Sequence, residues 1–128
     1  MDKKPIVYAC SGCSNLALMA NDIALNMNRD GIAEMSCISG VIGKVAPIMK
    51  IAESGRPIIA IDGCSLSCTK ACIDASGLEL ALHIDLSSFG LEKRSNQDSA
   101  FNESLVALKM TYDMLDKAGF SIQAKEEE

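Results

Sequence analysis

The period of the apolar positions changes several times along this chain, and each change marks an element. Residues 6–9 form a short β-prone run, after which Leu16, Met19, Ala20, Ile23 and Met27 recur at helical spacing. Ser14 or Asn15 is the natural N-cap of that helix, and Gly31 lies just past its end. Residues 33–38 alternate, with Met35 and Cys37 on one face and Glu34 and Ser36 on the other, the pattern of a half-exposed or edge strand. Two glycines in residues 39–44 predict a loop, and Pro47 suits the first turn of a helix reaching Ser54 before Gly55. From Pro57 a continuous apolar run ends in Asp62-Gly63, as in a fully buried strand closed by a turn. The next segment lacks Pro and Gly and predicts a helix stopping near Gly77. Residues 78–86 predict a fourth strand with Leu82, Ile84 and Leu86 on one face, and residues 93–99 are polar and loop-like. Phe101, Leu105, Leu108, Tyr112 and Leu115 trace one stripe of a long amphipathic helix that could pack on its own sheet or on a second subunit, the single stripe fitting the first better.

Strands alternating with helices predict a mainly parallel sheet with right-handed crossovers, hence a three-layer α/β/α sandwich of Rossmann-like or flavodoxin-like type. The expected strand order is 2-1-3-4. Strands one and three are then central neighbours whose connections leave to opposite faces, and their carboxyl ends form the crevice where open α/β sheets bind ligands. The 128 residues make one domain, ordered over about 5–119, with residues 120–128 as a tail. No internal repeat or linker interrupts it.

Composition narrows the function. A net charge of −5 argues against a general nucleic-acid backbone binder, which needs clustered Lys and Arg. No apolar run approaches a membrane span, and the one near the start stops too soon for a signal peptide, so the expected location is the cytoplasm. There the six cysteines are expected as reduced thiols, metal ligands or redox groups rather than structural disulfides. With 48% hydrophobic residues, folding does not need such staples.

The thiols are placed for chemistry. Cys10 and Cys13 follow strand one as a CxxC turn, Cys37 ends strand two, and Cys64 and Cys68 follow strand three, so five of the six fall on one edge of the sheet. Cys72 lies one helical turn deeper, on the same helix face as Cys68. Zinc suits this set, because it takes four ligands tetrahedrally and favours thiolates. Cys10 and Cys13 with Cys64 and Cys68 would supply them, and Cys37 or Cys72 could replace or extend the set. Six ligands could also hold two metals through bridging sulfur. Both pairs lie at helix starts, where exposed amides and the macrodipole ease ionisation of a thiol.

Several of these residues carry a resemblance. Asp62-Gly63-Cys64 with Cys68 after it, the opening Cys10-Ser-Gly-Cys13-Ser-Asn15, Glu34-Met35-Ser36-Cys37 and Gly55-Arg56-Pro57 together resemble the family of small proteins named after an Asp-Gly-Cys (DGC) motif. The likeness covers most of the chain, roughly residues 6–93. It implies zinc bound by four cysteines corresponding to Cys10, Cys37, Cys64 and Cys68, and it says little of any reaction. It thus prefers Cys37 where the CxxC spacing prefers Cys13, and Cys10, Cys64 and Cys68 rank first on both accounts.

Other readings compete. A strand, then CxxC, then a helix also begins a thiol-disulfide oxidoreductase using Cys10 and Cys13, though that leaves Cys64, Cys68 and Cys72 unexplained. Four cysteines can hold an iron–sulfur cluster, but no spacing here matches the ferredoxin runs. A cysteine phosphatase loop needs an Arg six residues after its nucleophile, where Leu16 and Met19 stand after Cys10 and Cys13. The glycines at 40 and 43 are spaced too closely for a phosphate loop, and Val45 stands where Ser or Thr would hold magnesium. His83, the sole histidine, is a packed strand residue, a group supporting the ligands or an extra ligand. Asp62 caps the helix after it or orients a ligand amide, while Lys44 and Lys70 could offset thiolate charge. Met19, Met27 and Met35 belong to the core stripes. Catalysis stays open: a closed four-thiolate site would be structural or serve metal handling or sensing, whereas three thiolates with an open position could activate water.

Overall fold

Two unbroken apolar runs become the two central strands of a computed structural model that describes residues 3–94 and 100–122. β1 (Ile6–Ala9) and β3 (Ile58–Asp62) are buried along their whole length, as strands covered on both faces must be. β2 (Glu34–Met35) and β4 (Leu82–Asp85) flank them, giving a four-stranded, all-parallel sheet in the order β2-β1-β3-β4. Alternate side chains of each strand point to opposite faces. Val7, Ala9, Ile59, Ile61 and Ile84 therefore pack under α1 (Asn15–Arg29) and α5 (Phe101–Lys117). Ile6, Tyr8 and Ile58 pack against the second layer, formed by α2 (Ile38–Ile42), α3 (Ala46–Ala52) and α4 (Cys68–Ala75). The three layers and the strand order are those the sequence predicts.

Local differences have local causes. The strand expected over residues 33–38 pairs only at Glu34 and Met35, and Cys37 is the N-cap of α2 rather than the end of a strand. The two glycines read as a loop lie at and inside α2. A Cβ on Gly40 would stand 2.8 Å from Ile48 Cγ1, so this glycine permits α2 to touch α3 instead of breaking the chain. The fourth strand begins at Leu82, and Leu78 and Leu80 before it pack on the second core. In α5 the buried stripe is Ala107, Thr111 and Leu115, with Leu108, Tyr112 and Met114 half-covered beside it. Phe101 and Leu105, expected on that stripe, are 78% and 51% exposed. The amino half of the helix stands off α1 across a hollow of about 350 Å³. Phe120 was expected to open the tail, yet it is buried against the first core. Residues 123–128 of the expected tail, and residues 95–99 of the polar loop, lie outside the described residues. No helix among the described residues is long and apolar enough to cross a membrane.

Candidate functional site

At the carboxyl edge of the two central strands, Ala9 pairs with Ile61; Cys10 follows as the first residue beyond β1, next to Asp62, which ends β3 paired with Asp85. The Cys10 amide still donates to the Ile61 carbonyl at 3.1 Å, which holds its thiol at the mouth of the sheet. Residues 10–14 then turn into α1, whose N-cap Ser14 accepts from the Ala17 amide through its hydroxyl. From the other strand, residues 62–67 turn into α4. The two turns enclose a hollow of about 170 Å³ bordered by Cys10, Cys13, Cys64 and Cys68, together with Ser14, Asp62 and Lys93.

Each position of the Asp62-Gly63-Cys64 turn has a physical task. Asp62 is 1% exposed, and its carboxylate oxygens accept from the amides of Thr69 (2.7 Å) and Lys70 (3.1 Å) in the first turn of α4. The cap residue of that helix, Ser67, makes no side-chain cap bond, so the strand residue caps it from a distance. The capping role read for Asp62 is the one observed. Gly63 lies against α1: a Cβ there would meet Leu16 C at 2.7 Å and Ala17 N at 2.8 Å, both backbone atoms. Its amide donates to Cys10 Sγ at 3.2 Å. Cys64 follows on the rim, and Ser67 adopts a left-handed backbone with φ 54, a conformation costing a non-glycine residue about 1 kcal/mol.

All six cysteines are free thiols. Burial pushes the Cys10 thiol up to about 11 against the pull of the Gly63 amide, with Asp62, Cys64 and Cys68 adding to the rise. Left to itself, Cys10 is therefore a neutral thiol at pH 7. Cys72 does not border the hollow, and burial raises its pKa first, the neighbouring Cys68 and Asp62 next. Cys37 borders a separate hollow beside the edge strand with Glu34, Met35 and Ser36, and Ser11 lines both. Its pKa is lowered, first by the Ser39 hydroxyl at 3.0 Å and then by the Gly40 amide. Among the described residues, no three of the Cys, His, Asp and Glu side chains stand close enough together to hold a metal ion. The donors of the first hollow are soft sulfur, the right kind for zinc, but their side chains would have to swing inward to share one ion.

His83 lies behind the site: its Nε2 donates to Asp62 Oδ2 at 2.9 Å, and it does not border the hollow. The lysines picked from the sequence are elsewhere. Lys70 pairs with Asp74 at 2.7 Å one helical turn on, and Lys44 does not border the hollow. The cation at the thiols is Lys93, whose Nζ lies 3.7 Å from Cys64 Sγ. Asn15 puts it there. This fully buried residue donates from its side chain to the Glu92 carbonyl, accepts the Arg94 amide on Oδ1, and donates its own amide to the Arg94 carbonyl. No local pattern announces that long-range contact; an Asn after a Ser cap, buried where a helix surface residue would do, is the one hint.

The model of the DGC domain family matches residues 6–110. The Anaerobic and virulence modulator AnvM of Pseudomonas aeruginosa is 53% identical over 97 residues, which cover 76% of this chain and 74% of that protein. No solved structure matches the chain.

Proposed function

Starting from the fact that the chain belongs to the DGC domain family, we propose that it binds one zinc ion through the thiolates of Cys10, Cys64 and Cys68, completed by Cys13. The observation that carries this reading is the gathering of these four thiols, out of six, around one hollow at the carboxyl edge of a parallel sheet. Zinc supplies the positive charge that makes ionised sulfur stable there, offsetting the burial that keeps Cys10 protonated. The amide of Gly63 supports the Cys10 sulfur, and the ammonium of Lys93 offsets excess negative charge at Cys64. The residues 63–67 form the turn that would let Cys64 and Cys68 approach. A site of this kind suits metal handling or sensing inside the cell. The name of the Pseudomonas relative describes a modulator, in keeping with sensing.

The test is elemental analysis of protein purified without chelator, with free thiols counted before and after denaturation. The expected result is about one zinc per chain, with sharp loss in Cys64→Ser and Cys68→Ser and retention in Cys72→Ser and Cys37→Ser. Equal metal in the wild type and Cys64→Ser would overturn the site. Iron with sulfide in place of zinc would point to a cluster. No metal, with a reversible Cys10–Cys13 disulfide at a cytosolic potential, would transfer the function to thiol exchange.

A further inference from the structure

The Asp62 carboxylate links the end of β3 to the first turn of α4, beside the Ser67 amide, which donates to the Cys64 carbonyl at 3.1 Å. Its two oxygens accept three bonds: Oδ1 from the Thr69 amide, Oδ2 from the Lys70 amide and from His83 Nε2. The carboxylate is almost entirely buried, so water does not compete for it, and its orientation is set by these three donors alone. Two of the donors belong to the helix being positioned. Asp62 is itself the last residue of β3, paired with Asp85, and the third donor, His83, stands opposite Ala60 on the neighbouring β4, so it is the donor that fixes the carboxylate from the side of the sheet.

We propose that His83 is a positioning residue of the thiol site. By holding the Asp62 carboxylate in one orientation at the end of β3 it fixes the amino end of α4, and with it the position of Cys68 relative to Cys64. The proposal rests on the zinc-site reading for its consequence, since two ligands held in register need less rearrangement to share an ion. The geometric part stands without metal. It explains why Ser67, caught in a left-handed backbone without a cap bond of its own, does not let the turn unwind: the helix start is anchored from the strand instead.

Two variants separate positioning from packing. His83→Leu removes the donor, whereas His83→Gln removes the ring and retains an amide donor at a similar reach. In zinc-free protein, the rates at which iodoacetamide alkylates Cys64 and Cys68 are followed by mass spectrometry. The ratio of the two rates should change in His83→Leu and return towards the wild-type value in His83→Gln. With zinc added against a chromogenic chelator, His83→Leu should lose about tenfold or more in affinity, with Gln restoring most of it. An unchanged alkylation ratio in His83→Leu would overturn the proposal, and so would a Gln variant as altered as the Leu variant. If wild-type protein takes up no zinc, the metal reading fails by itself, and the alkylation ratio still decides the role of His83.

Discussion

Gly63 shows how a single missing side chain sets the site. Because a Cβ would press on the backbone of α1 at 2.7–2.8 Å, no rotamer change can relieve it. Gly63→Ala should lower stability by about 1–3 kcal/mol, read from denaturant melts, and should displace the amide that supports Cys10. At this scale the sequence is half legible. A turn closing a buried strand and ending in a thiol can be read from Asp62-Gly63-Cys64, and so can the capping by Asp62. The partners that come from far along the chain cannot. Lys93 reaches Cys64 because Asn15 pins residues 92 and 94, and His83 reaches Asp62 because β4 pairs with β3. Neither follows from spacing. Cys37 is the reverse case: alternation placed it at a strand end, but the strand stops at Met35 and the thiol turns to a neighbouring hollow.

Among the elements, the helices and the central strands follow their apolar periods closely, and the departures come where one residue type serves two purposes. Glycine marks both turns and close helix contacts, so Gly40 hides α2. Leucine marks both buried faces and exposed rims, so the stripe read along α5 drifts off the buried one in its first turns. The two kinds of leucine should separate in measurement. Leu115→Ala, at a fully buried position, should cost about 2–5 kcal/mol. Leu105→Ser, at a half-exposed one, should change stability by no more than about 0.5 kcal/mol. Similar losses for both would mean that the amino half of α5 is covered in solution.

For the molecule as a whole, the parallel order β2-β1-β3-β4 brings two thiol-bearing turns to one hollow, and protonation of Cys10 should couple that hollow to global stability. Its folded pKa, about 11, lies above the ordinary 9.0, so the folded state keeps the proton longer than the unfolded chain. The contribution is complete below pH 9 and is lost as pH rises towards 11 in metal-free protein. The difference in melting between the wild type and Cys10→Ser should therefore shift over that range, the two proteins sharing every other titration. Zinc bound as proposed would act in the opposite sense. Binding requires thiolates, so zinc uptake near pH 7 should release protons, detectable by calorimetry in buffers of different ionisation enthalpy. A saturating ion should also raise stability by about 2.7 kcal/mol at a hundred times its dissociation constant. The same strand order bears on synthesis. β1 leaves the ribosome before both of its neighbours, β2 and β3, and the one that completes the hollow is β3. Until β3 emerges, Cys10 and Cys13 lack the Asp62-Gly63-Cys64 turn and have only Cys37 as a further thiol, so the nascent chain passes through an interval in which these thiols are most open to oxidation or to stray metal.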